Sequence, residues 1–110
     1  MANRPLRLDL FGFYYLGIKP DGTYQFPNIN QVAQYFGASV ESVQEWLEEY
    51  DLSPAVVSKR QVEITRYALD IQMELGNLTH SEIRERIEKV LLKVDKAPEG
   101  RKPWVDGPIP

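Results

Sequence analysis

Apolar positions recur at helical spacing over most of this chain. In residues 30–36, Val32, Ala33 and Phe36 fall on one face at i, i+1 and i+4. Val40, Val43, Trp46 and Leu47 form a second stripe, which Tyr50 continues. Gly37 stands between the two, where a chain that stops one helix and starts another needs left-handed backbone. Ser39 is placed to cap the second helix by accepting a free N–H of its first turn. Further on, Ile64, Ala68, Ile71 and Leu75 make a stripe with Tyr67 beside it. Ser53-Pro54 opens this stretch as an N-cap followed by proline at the first helical position. A break near residues 58–61 and a stop at Gly76-Asn77 are expected. The sharpest local signal follows: Thr79 and Glu82 have the spacing of a capping box, with Leu78 set to staple onto Ile83. Ile83, Ile87, Val90, Leu91 and Val94 form the apolar face of that last helix.

Residues 6–18 are apolar without a clean period. As a helix, Leu10, Phe11, Tyr14 and Tyr15 share a face and Gly17 is the left-handed stop. As a strand, residues 13–18 pair with residues 23–26 across Lys19-Pro20-Asp21-Gly22, a sequence that suits a type I turn. The helical reading, followed by a short extended piece at residues 24–26, is slightly favoured. Either way the segment is too apolar to be exposed and packs on the helices that follow.

The expected fold is mainly α: a compact domain of about four helices over residues 1–96, with at most a short N-terminal hairpin or extended segment. Residues 97–110 are rich in proline and glycine, have no period, and read as a flexible tail. Trp104 is the odd feature of that tail, either folding back or anchoring a partner.

The two stripes flanking Gly37 resemble the helix-turn-helix superfamily, in particular the small regulators of bacteria and phages. The resemblance rests on Val32-Ala33, Gly37, Ser39, Val43 and Trp46-Leu47, over about a fifth of the chain. It implies that residues 30–51 form the unit and that its second helix faces a DNA groove, with Ser39, Ser42 and Gln44 toward the bases. Lys59, Arg60, Arg84, Lys89 and Lys93 are the candidates for phosphates.

Charge changes this picture. Residues 31–51 carry five acids and no base, whereas the rest of the chain carries 13 bases and 11 acids. Recognition helices ordinarily offer Arg, Lys, Asn or Gln. Carboxylates on the docking helix oppose a phosphate backbone. The alternative is a protein partner met by Glu41, Glu45 and Glu48, with Trp104 as a second anchor. On the last helix, Arg84, Arg86, Lys89 and Lys93 alternate with Glu82, Glu85 and Glu88, as on a solvated, self-paired surface.

The 110 residues bound the chain to one domain with a modest core. Without cysteine there is no disulfide, thiolate catalyst or Cys-ligated zinc. His80 is the only histidine, so a transition-metal site has no ligand set. Glu45/Glu49 and Asp70/Glu74 lie at i, i+4 and read as solvating rather than catalytic. No glycine-rich phosphate loop occurs. The expectation is a non-enzymatic protein with no cofactor and no catalytic or metal-binding residues. No apolar run reaches the ~20 residues that span a bilayer. The N-terminus makes a poor signal peptide because Asp9 interrupts it. A cytoplasmic protein with no membrane partner is expected.

Overall fold

The helix with the most helical neighbours is α1, Arg7–Leu16, which packs against α5, α6 and α2, while α3 packs on α2. Leu10, Phe11, Phe13 and Leu16 have essentially no exposed surface, and Gly12 is buried with them. A helix that is apolar over most of its circumference has to be covered by more than one neighbour. Here α5 (Ile64–Glu74) and α6 (His80–Lys96) cover one side and α2 (Ile29–Tyr35) another. Gly12 permits the closest approach, since a Cβ there would stand 3.2 Å from the Ile87 side chain of α6. The computed structural model describes residues 4–60 and 62–97, and among these it is helical with no strand.

Both sequence readings of the N-terminal aromatic run hold in part. The helix ends at Gly17, which adopts φ +72°, and Gly17 and Ile18 donate to Phe13 and Gly12 carbonyls. The chain then turns through Lys19–Gly22, closed by the Gly22 N–H on the Lys19 carbonyl, and Ile18 forms a single antiparallel bridge with Tyr24. The pairing therefore begins where the helix stops, and does not replace it.

α2 begins at the N-cap Asn28, whose side chain accepts from the Asn30 N–H. It ends in a Schellman motif: Gly37 at φ +66° donates to Gln34, and Ala38 donates to Ala33. Ser39 caps α3, Val40–Glu49, as its sequence position predicts, accepting from Ser42 N–H at 3.1 Å. α3 ends in the same motif, with Leu52 donating to Leu47 and Asp51 held at φ +60°. Val32 and Ala33 of α2 and Val43, Trp46 and Leu47 of α3 are buried. They join the α1 residues in one core that also takes in Phe36, whose ring lies 6.3 Å from that of Phe13. The bend at residue 37 is thus present, and the helices on either side of it share one interior.

The expectation of about four helices becomes six because residues 7–16, open between helix and strand in the sequence, are helical and because the stretch after Leu52 divides. Ser53 and Pro54 start only a single turn, α4 (Pro54–Val57), which tightens into a 3-10 turn at Ser58–Arg60 before α5 begins. The capping box at Thr79 and Glu82 is complete in both directions. α6 runs to Lys96, with Ile83, Ile87, Val90, Leu91 and Val94 all buried.

Charged residues fasten helix to helix rather than pairing along α6. Arg84 reaches Asp9 of α1 at 2.7 Å, and Arg86 reaches Glu74 of α5 at 2.7 Å. Arg66 pairs with Glu63 at 3.5 Å on an exposed surface where such a pair contributes little. Arg7 makes a two-pronged pair with Asp95, both contacts at 2.8 Å, and donates its Nε to the Tyr50 carbonyl. One side chain thereby ties the start of α1 to the ends of α3 and α6.

Candidate functional site

Because Val43, Trp46 and Leu47 turn α3 inward, its outer face is left to Glu41, Gln44, Glu45 and Glu48, all exposed. Glu41, Glu45 and Glu48 sit at i, i+4 and i+7 and therefore share one face. With Gln44 they line a groove of about 430 Å³ whose other walls are Tyr14 of α1, Ile29 of α2, Leu47, and the N-cap Ser53 and first residue Pro54 of α4. The groove thus has an apolar floor and an acidic rim, with no base among its lining residues. Glu49, one position beyond, is neutralised by Arg4 at 3.0 Å, whose guanidinium also lies over the Tyr50 ring. The three groove carboxylates have no ion-pair partner among the described residues. Like charges at helical spacing repel by a few tenths of a kcal/mol per pair, so a cation entering the groove would relieve the helix as well as bind it.

The residues expected to read DNA are differently placed. Ser39 uses its hydroxyl oxygen as the α3 cap and donates to the Ser42 hydroxyl at 3.0 Å, so the pair is engaged with each other. Gln44 is exposed, but it opens onto the acidic groove. Of the candidate phosphate contacts, Arg84 is held by Asp9, and Arg60 points to the Ala97 carbonyl at 3.4 Å. Lys93 lies over the Tyr67 ring at 5.7 Å. Lys89 and Lys93 line a separate groove of about 400 Å³ between α5 and α6, where Asp70, Glu74 and Arg86 also stand. Lys59 is exposed on the 3-10 turn. The structure therefore brings Glu41, Glu45 and Glu48 together and distributes the cations elsewhere. Trp104 lies outside the described residues.

Sequence reasoning did not find the floor of the groove. Tyr14, Ile29 and Pro54 come from three different elements, and only the fold places them beside α3. Tyr14 gives no signal of its own, since it shares the half-buried setting of Tyr15 at the edge of the core.

His80, the single imidazole, places Nε2 2.6 Å from the Pro20 carbonyl and so pins the start of α6 to the turn after α1. Among the described residues no cluster of His, Cys, Asp or Glu could hold a metal ion. No helix of the described residues is long and apolar enough to cross a membrane. Compared with protein families, with curated proteins and with solved structures, the chain gives no match.

Proposed function

We propose that this chain is a non-enzymatic module of helix-turn-helix form whose second helix receives a basic segment of a protein partner rather than DNA. The observation that carries this reading is the groove itself: three unpaired carboxylates on one helix face above a floor of Tyr14, Ile29, Leu47 and Pro54. An amphipathic helix or extended peptide with Lys or Arg beside an apolar anchor matches both parts. Long-range attraction from Glu41, Glu45 and Glu48 accelerates its approach, and that effect weakens as salt rises.

A DNA-associated role is the second reading, favoured by the Gly37 bend and the capped start of α3. In it Ser39, Ser42 and Gln44 meet bases while Lys59, Arg60, Arg84, Lys89 and Lys93 meet phosphates. It requires Arg84 to leave Asp9 and the DNA backbone to approach an acidic helix.

One experiment separates the two. Amide resonances of the full chain are followed during titration with a Lys/Leu amphipathic peptide and, separately, with duplex DNA, each at low and moderate salt. Shifts confined to Tyr14, Ile29 and residues 41–53 with the peptide, lost when Glu41, Glu45 and Glu48 are changed to Gln, support the protein reading. Shifts at Ser39–Gln44 with DNA that recover as salt rises support the second reading and remove the first.

A further inference from the structure

The outward face of α5 carries a second surface, distinct from the acidic groove. Ala68 and Ile71 turn inward, and Leu69 and Met73, one turn apart, are left 53% and 82% exposed. On one flank Leu69 shares a groove with Tyr24 and Phe26, which are 44% and 73% exposed. On the other flank stand Arg66 and Asp70, both exposed; Arg66 is held only by the long, solvent-exposed contact to Glu63 at 3.5 Å, and Asp70 has no ion-pair partner among the described residues. Isolated exposed apolar residues need no explanation, but four that adjoin on one face do.

We infer that this face binds a second copy of the same chain, α5 against α5 in antiparallel, about a two-fold axis near Ala68. The charge pattern is what selects that occupant. Arg66 and Asp70 are opposite in sign and lie two residues either side of Ala68. A two-fold axis lying in the interface and perpendicular to α5 places Arg66 of each copy beside Asp70 of the other. The same operation brings like flanks together, so Tyr24 and Phe26 meet their own counterparts, Leu69 lies beside the axis, and Met73, about 7.5 Å further along the helix, packs toward the edge of the contact. An isologous contact must be self-complementary in this sense. A parallel arrangement would set the aromatic flank of one copy against the charged flank of the other.

The area is adequate for a weak dimer. From their exposures, the four apolar side chains offer roughly 350–400 Å² per copy. With the polar rim, two copies reach about 1,000 Å², the lower bound for a specific interface. The dimer is therefore concentration-dependent rather than permanent.

The test is sedimentation velocity of the full chain from about 5 to 500 μM, at low salt. The expected result is a monomer that converts to dimer across this range. Met73→Glu and Leu69→Lys, both at exposed positions, should each weaken association at least tenfold while leaving the far-ultraviolet spectrum unchanged. Asp70→Arg alone should weaken it by setting cations against Arg66 of the other copy. The combined Arg66→Asp, Asp70→Arg exchange should restore it, because the opposite charges again face each other. A monomer throughout the range, dimers indifferent to Leu69→Lys and Met73→Glu, or a charge exchange that fails to restore association would each overturn the inference.

Discussion

Two glycines with the same backbone conformation have different surroundings, and the difference predicts a measurable gap. Gly17 and Gly37 both end helices at positive φ, +72° and +66°. Alanine at either position pays the left-handed penalty, about 1–2 kcal/mol. At Gly37 nothing lies within 4 Å of the added Cβ, so the cost stops there. At Gly17 the Cβ would stand 2.8 Å from the Tyr24 ring and 2.9 Å from the Gln25 carbonyl. The ring can swing aside. The carbonyl cannot, because the Gln25 N–H donates to the Gly17 carbonyl at 2.8 Å and the Ile18–Tyr24 bridge holds that segment in place. Overpacking against such an atom adds about 1–3 kcal/mol. Gly17→Ala should therefore lose roughly 2–5 kcal/mol and Gly37→Ala about 1–2. For a domain with a total of about 5–15 kcal/mol the first is a severe loss. Urea titration of both full-length variants, followed by far-ultraviolet circular dichroism, reads the difference as a change in midpoint at unchanged slope. Equal destabilisation of the two variants would refute the steric argument and with it the placement of residues 24–25 against the end of α1.

Two further outcomes follow from the polar contacts. The Tyr15 hydroxyl donates to the carbonyl of Leu52, and burial pushes its pKa well above the usual phenol value. Tyr15→Phe leaves that carbonyl without its partner and should cost about 1–3 kcal/mol, whereas Tyr14→Phe should cost under about 0.5, both by denaturant titration. Hydrogen bonding to Arg7 holds the Asp95 carboxyl below the ordinary range, so this contact stabilises the fold above the unfolded carboxylate value of about 3.9 and is lost as pH falls through the folded one. Because both side chains are about a third exposed, the loss is no more than about 1 kcal/mol; Arg7→Met should remove it and return the Asp95 carboxyl titration, followed by NMR, to its usual position.

What the sequence disclosed and what it concealed divide along the range of the interactions. Caps are local, and Ser39, Ser53 and the Thr79–Glu82 box can be read from neighbouring residues and are all formed. The apolar stripes of α3 and α6 likewise predict their buried faces. The role of α1 was concealed by the same fact that produces it, since a helix apolar over most of its circumference shows only a weak period. The hairpin and helix readings of residues 6–26 competed because Gly17 serves both, as the stop of one and the start of the other. The ion pairs of Arg7 with Asp95 and Arg84 with Asp9 join residues far apart in sequence, and no spacing rule anticipates them. For the candidate site, Glu41, Glu45 and Glu48 were legible as one face because they lie on one helix. The apolar floor beneath them was not, because it is assembled from three elements.

The central position of α1 bears on how the protein is made. Its Phe11 and Phe13 leave the ribosome well before the helices that cover them, α5 and α6. At bacterial and eukaryotic elongation rates, roughly 80 further residues take on the order of 4–16 s. During that interval the most water-averse segment of the chain has only α2 and α3 for shelter. Nascent chains of this protein are therefore expected to occupy holdase chaperones until translation passes the last turn of α6, where Asp95 meets Arg7 and closes the circuit.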